Sequence, residues 1–465
     1  MTTGHAERSG VSVDRAVVDR IRATVLEQLS DHPRRATLTA SDQRQLIRGW
    51  IEDELASETR RRMTVGSSPL SRADEAQVVR AIESTIWGLG RLQALLDLPD
   101  VEDIHITGSD TPLLRLRDGA VRRAAEPVAD SDDELIAQLQ YIAAHHGASE
   151  RAFSSAQPML NMQLPDGSRL AALRDVVPRP TVTIRRHRLV DVTLDNLLHV
   201  GTISVGIALF LRALVHARRN VLITGPPSVG KTTLLRALAR EISPGERFAT
   251  LETEYELDLH RLPRAPALLY AMQARPGSTE TDSSTGLRAG EVSLSQLLHQ
   301  TLRMSVTRVV VGEVRGAEAL PILKAMTAGM PGSMCTLHAS SAGDALERLI
   351  VAALEGAGPN CSDSYITRLA ATGIDYVVHM RHMTHPALGG AGRFVAEIAE
   401  VTDVNEVGAI ALNRIFAAPS GGTDPRGRFQ MLPQRRDAFD ESGVPLTFLH
   451  RPDVDQWPEP GRRAW

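Results

Sequence analysis

Apolar residues recur every three to four positions over Val13–Leu29, Ser41–Arg62 and Ser71–Gly88, so the first 90 residues predict a module of helices only. Asp31-His32-Pro33 and Gly66-Ser67-Ser68-Pro69 separate the helices. Ser41 or Asp42 and Ser71 suit N-caps, the last with Asp74 and Glu75 in its first turn. From residue 91 the period shortens. Glu102–Thr107, Leu113–Arg117 and Ala120–Arg123 alternate as strands, the last two joined at Asp118-Gly119. Ser131–His145 is a helix with an acidic start. Leu160–Leu164 and Arg169–Arg174 flank Pro165-Asp166-Gly167-Ser168, a hairpin signal, and Thr181–Arg185 is a further strand. This predicts an α+β domain over 91–187, a linker over 188–199 and a nucleotide-binding domain over 200–405. After 405 regular patterning fades, and Gly421-Gly422-Thr423-Asp424-Pro425 and Trp457-Pro458-Glu459-Pro460-Gly461 predict a loosely ordered tail over 406–465.

Within 200–405 the pattern changes again, to short continuous apolar runs that read as buried parallel strands. Asn220–Thr224 is such a run. It leads into Gly225-Pro226-Pro227-Ser228-Val229-Gly230-Lys231-Thr232, then a helical pattern from Thr232 to Ile242. Strand, GxxxxGK[ST] and helix is the arrangement in which backbone N–H groups and a helix N-terminus converge on phosphate. The residues from Gly225 to Thr233 are therefore expected to bind a nucleoside triphosphate, with the Thr232 hydroxyl on Mg²⁺. Only two of the 52 lysine and arginine positions are lysine, Lys231 and Lys324. Retention of lysine at 231 fits a compact ammonium beside the β/γ-phosphates, where a guanidinium does not substitute.

Three later runs each end in a polar residue: Phe248–Leu251 at Glu252, Arg308–Gly312 at Glu313, and Ser333–Leu337 at His338. In open α/β sheets the carboxyl ends of strands hold the ligand. Glu252 suits polarisation of the attacking water, Glu313 suits Mg²⁺ held through water, and His338 suits a γ-phosphate sensor.

Composition narrows the field without adding chemistry. A net charge of −4 gives no global basic field of the kind that marks a general nucleic-acid binder. Cys335 and Cys361 cannot build a disulfide framework, which fits a reducing cytoplasm. No signal peptide is visible, and the most apolar stretch, Ile203–Val215, is too short to span a membrane and carries Arg212. The chain is expected to be soluble and to reach a membrane only through partners.

The motifs together resemble the type II/type IV secretion ATPase family, in particular its CpaF-like branch, which powers Flp/Tad pilus assembly. The likeness rests on the phosphate loop, on Thr250-Leu251-Glu252-Thr253-Glu254-Tyr255-Glu256-Leu257 as the acidic box, on Gly312-Glu313-Val314-Arg315-Gly316, and on Gly332-Ser333-Met334-Cys335-Thr336-Leu337-His338-Ala339 as the histidine box. Leu302-Arg303-Met304, Arg308, Leu89-Gly90-Arg91-Leu92 and Val101-Glu102-Asp103-Ile104 extend it over residues 10 to 405. Thr253 departs from a frequent aspartate, Ser305 from a frequent arginine, and Pro226-Pro227 stiffens the loop.

The resemblance implies that the nucleotide is ATP, bound by a RecA-like ATPase domain, class α/β, preceded by the α+β domain and the helical module. It implies Glu256 as a further metal-side carboxylate, and Arg169 and Arg185 as cations that reach the nucleotide. It also implies a homohexamer at the cytoplasmic face of the inner or plasma membrane, with platform proteins of a pilus or secretion apparatus as partners. Two readings compete with a motor: a DNA translocase, and a nucleotide-gated scaffold with little turnover. A small GTPase is disfavoured, because two lysines leave no NKxD-type guanine reader.

Overall fold

The computed structural model describes residues 15–31, 40–87, 89–116, 119–146, 153–186, 191–262, 264–275, 277, 290–358, 361–405 and 408–458. Several expected features lie outside them: the helix start at Val13, the His32-Pro33 break, Gly88, Arg117-Asp118 of the first hairpin, and Glu459-Pro460-Gly461. The chain divides into two compact units, Met1–Arg188 and Leu189–Trp465.

In the first unit, helices α1 (Arg15–Asp31), α2 (Ala40–Thr64) and α3 (Arg72–Trp87) pack around Val17, Ile21, Val25, Ile47, Ile51, Leu55, Val78 and Ile82. The four-residue spacing within each helix puts these residues on one stripe, so burying that stripe is what assembles the module. Ser71 caps α3: its Oγ accepts from the Asp74 N–H at 3.2 Å, and the Asp74 carboxylate accepts from the Ser71 N–H at 3.2 Å. The cap expected at Ser41 or Asp42 is corrected, since α2 already begins at Ala40.

The rest of this unit comprises α4 (Arg91–Leu96), β1 (Val101–Thr107), β2 (Leu113–Leu116), β3 (Val121–Arg123), α5 (Asp132–His146), β4 (Met159–Gln163), β5 (Arg169–Leu173) and β6 (Thr181–Arg185). Its strands form an antiparallel sheet of order β3-β2-β1-β6-β5-β4. Alternate residues such as Ile104, Ile106, Leu170, Val182 and Ile184 bury against Leu92, Leu135, Leu139 and Ile142 of the helices.

The second unit is built on one nine-stranded sheet. Its strands are β7 (Val221–Gly225), β8 (Phe248–Glu252), β9 (Leu269–Gln273), β10 (Arg308–Val311), β11 (Met334–His338), β12 (Tyr376–His385), β13 (Gly390–Val404), β14 (Ile410–Ala417) and β15 (Arg428–Phe429). The order is β15-β14-β13-β12-β7-β11-β10-β8-β9, parallel from β12 to β9 and antiparallel from β12 to β15. Helices α6 (Leu194–His199), α7 (Val205–His216) and α8 (Lys231–Ala239) belong to one core. Helices α9 (Leu294–Thr301), α10 (Ala319–Thr327), α11 (Ala342–Ala357) and α12 (Asp363–Gly373) belong to the other. Burial on both faces explains the continuous apolar runs: β7 sends Val221 and Ile223 into the first core and Leu222 into the second.

Two expectations are corrected here. The segment 188–199 is not simply a linker, because Thr193 and Asn196 form a capping box for α6, and Leu194 and Leu197 are buried in the first core. One and a half turns are too few to show a period. The segment 406–465 is not loosely ordered over its described part. It contributes β14, β15, helix α13 (Asp437–Glu441) and a 3-10 turn at Leu446–His450. Phe439 stacks on Phe210 with ring centroids 6.0 Å apart, and Leu446 and Leu449 join the same core. Further on, the carbonyls of Val454 and Gln456 accept from the N–H groups of Gly206 and Val205 at 2.8 and 3.1 Å, completing the N-terminus of α7. A side chain at Gly206 would meet Val454 Cγ2 at 2.4 Å, so only glycine admits this strap.

Candidate functional site

The phosphate loop leaves the central strand β7 and turns into α8 at Gly230, the N-cap, with φ 98. Gly225, with φ 150, passes so close to β12 that a Cβ would lie 2.5 Å from the Met380 carbonyl. These two glycines serve backbone geometry as well as close approach. Ser228 also takes a positive φ, 62.

The ends of β8, β10 and β11 bring the expected side chains to this loop. Lys231 is buried and folds back, donating to the carbonyls of Gly225 and Pro226 at 3.0 Å each. Its Nζ also lies 2.9 Å from His338 Nδ1. An ammonium only donates, so Nδ1 accepts and the imidazole proton sits on Nε2. That nitrogen stands 2.7 Å from Glu313 Oε1, and Arg315 Nε donates to Glu313 Oε2 at 2.8 Å. Lys231, His338, Glu313 and Arg315 thus form one chain of alternating contacts. Burial pulls the Lys231 ammonium down to about 8, with Glu313 and Glu256 acting the other way.

Glu252 is only 2% exposed. Its Oε1 accepts from the N–H groups of Glu256 and Leu257 at 2.9 Å each, while Oε2 has no hydrogen-bond partner among the described residues. Burial pushes its carboxyl up to about 7, outweighing those two N–H groups. Gly312 makes room for it, since a Cβ there would lie 3.1 Å from Glu252 Cγ. The Thr232 hydroxyl donates to Glu256 Oε2 at 2.9 Å, and Arg236, buried on α8, donates to the Glu256 carbonyl.

A hydroxyl and carboxylates are the hard-oxygen donors that suit Mg²⁺, and they fall short of a cage. Among the described residues no group of three or more His, Cys, Asp or Glu is placed to hold a metal unaided. This donor set fits a magnesium completed by water and phosphate oxygens.

Sequence reasoning gave no role to Arg315 or Arg236. Arg315 was visible inside Gly312–Gly316, whereas Arg236 reads as an ordinary helix position. Arg169 and Arg185 belong to the other unit, where they face each other across β5 and β6 in register, with Arg185 exposed.

A phosphate loop on the central strand of this parallel sheet, with acidic residues and a histidine at neighbouring strand ends, defines a RecA-like nucleoside triphosphatase. Residues 74–371 match the model of the family described as Type II/IV secretion system protein. A putative conjugal transfer protein of Mycobacterium tuberculosis (strain ATCC 25618 / H37Rv) is 32% identical over 280 residues, 58% of this chain and 74% of that protein. The type IV secretion system protein VirB11 of Brucella suis biovar 1 is 28% identical over 350 residues, 70% of this chain and 92% of its own. The crystal structure of the Brucella suis VirB11 ATPase in complex with sulphate aligns over 70% of this chain and 96% of its own, at 25% identity and a TM-score of 0.34. The chain belongs to the type II/IV secretion ATPase family, and it is an ATPase.

Proposed function

We propose that this secretion ATPase is the motor of a pilus-assembly or protein-secretion machine of the CpaF-like kind. In this reading it works as a homohexameric ring at the cytoplasmic face of the inner or plasma membrane, engages that membrane through platform proteins, and uses hydrolysis to move its two units against each other. Among the described residues no helix is long and apolar enough to cross a membrane. The family match supports the secretion role, and the contact chain from Lys231 through His338 to Glu313 beside a buried Glu252 with one open oxygen supports hydrolysis as its energy source.

Lys231 exchanges the carbonyls of Gly225 and Pro226 for β/γ-phosphate oxygens, which restores a strong counter-charge to a buried ammonium. The N–H groups from Gly230 to Thr233 point at the same phosphates. Glu252, fixed through Oε1, receives at Oε2 the proton of the water that attacks the γ-phosphorus, while the bond to the ADP oxygen breaks. When Lys231 turns to phosphate, His338 Nδ1 loses its donor, and the histidine is free to follow the γ-phosphate. Thr232, Glu313 and Glu256 would hold Mg²⁺, which when bound neutralises charge on the phosphate oxygens. Arg169 and Arg185 are proposed as further cations acting on the nucleotide.

Phosphate release tests this directly. Lys231→Ala abolishes hydrolysis and Lys231→Arg restores little of it. Glu252→Gln still binds ATP but turns it over at least about 100-fold more slowly. Glu252 acts as a carboxylate, so the wild-type rate rises as pH passes upward through about 7, while the residual rate of Glu252→Gln is flat there. Undiminished turnover in both Lys231→Ala and Glu252→Gln would remove these residues from the site.

A further inference from the structure

We propose that Arg393, on β13, is a phosphate-contacting residue of the same nucleotide site; the proposal rests on the reading of that site given above. The phosphate loop is backed by the hairpin of β12 and β13. A Cβ on Gly230 would lie 3.6 Å from Met380 Cε and 3.8 Å from Arg393 Cδ, so the arginine's stem runs against the loop's last glycine. Beyond Cδ the guanidinium is exposed. It makes no hydrogen bond or ion pair with any described residue.

Register explains the placement. Met380 pairs with Val395 and His382 with Arg393, and Met380 and Val395 are buried in the core that also holds Val229 and Leu234 of the loop and α8. Side chains two apart on a strand share a face, so Arg393 continues the Val395 column onto the α8 side. The register shift between His379 and Met380 leaves Ala396 as an extra residue, and this bulge sets the hairpin's end beside the loop.

Several arginines of this unit have acidic partners: Arg212 pairs with Glu241, Arg218 and Arg308 with Glu246, and Arg435 with Asp375. Arg393, like the exposed Arg303, Arg368 and Arg381, has none among the described residues, and its stem against Gly230 is what sets it apart. Its fork, held against a loop whose N–H groups gather phosphate, is suited to polyphosphate oxygens. Exposure without partners also describes a solvated surface arginine, and binding data separate the two.

Titration calorimetry on the full chain with Mg·ATP and Mg·ADP, and with Mg·GTP for comparison, reads the difference, alongside melting of the nucleotide-free protein. Arg393→Ala weakens both nucleotides about tenfold, and Arg393→Lys recovers part of the loss. Arg381→Ala, on the opposite face of β12, stays within about twofold of wild type, and melting temperatures are unchanged. Arg393→Ala within about twofold of wild type for both nucleotides overturns the proposal. So does a loss that lysine does not relieve and that alters the preference for ATP over GTP, because the guanidinium would then lie on the base. A wild-type chain that binds neither nucleotide sinks the reading of the site itself.

Discussion

Adjacent arginines on one strand have different surroundings here. Arg186 donates through Nη1 to the carbonyls of Leu98 and Val101, which ties β6 to the turn before β1. Arg185 is exposed and stands directly opposite Arg169. In its proposed role on the nucleotide, Arg185→Ala is expected to slow saturated ATP turnover at least about tenfold without changing the melting temperature. Arg186→Ala should lower the melting temperature and change turnover far less, since it removes part-buried hydrogen bonds to the Leu98 and Val101 carbonyls. Equal small effects on rate would pass the role to Arg169. At this scale much was legible. Lys231, Glu252, Glu313 and His338 each follow a local signal, a strand end or a glycine loop, and they do meet at the loop. Arg393 carried no such signal, because its position depends on a hairpin folding back and on one extra residue at 396.

Legibility followed length and period at the level of elements. The long helices and strand hairpins of the first unit announced themselves, but α6, at six residues, did not, and neither α11 nor the β12–β13 hairpin was named. The C-terminal segment failed in part for the same reason. β15, α13 and the 3-10 turn are short, and what orders the segment is pairing of the eight-residue β14 with β13 and packing against α7 and β12, which no local pattern reports. The aromatic contacts of Phe439 with Phe210 and Tyr376, and the strap at Val454 and Gln456, give that packing a measurable weight. Deleting residues 443–465 removes the buried Leu446 and Leu449 and the acceptors of the Val205 and Gly206 N–H groups of α7. At about 2–5 kcal/mol for each buried leucine lost, the ATPase unit should melt at least about 5 °C lower. An unchanged calorimetric transition would show that the strap contributes nothing to folding stability.

The whole molecule, as a family member, is expected to assemble. Light scattering at rising protein concentration should report a hexamer favoured by nucleotide, with specific ATPase activity rising over the same range. A monomer under every condition, with activity per chain constant, would refute the ring.

The strap at α7 has one more consequence, for the order of events during synthesis. The N–H groups of Val205 and Gly206 find their acceptors only in residues made roughly 250 positions later. At about 5–20 residues per second, the start of this unit waits about 10–50 s for the segment that completes it. The first unit, whose sheet and helices all lie before residue 189, has no such delay. On the ribosome it can be finished while α7 and the phosphate loop are still incomplete, so the part that binds ATP becomes native after the first unit.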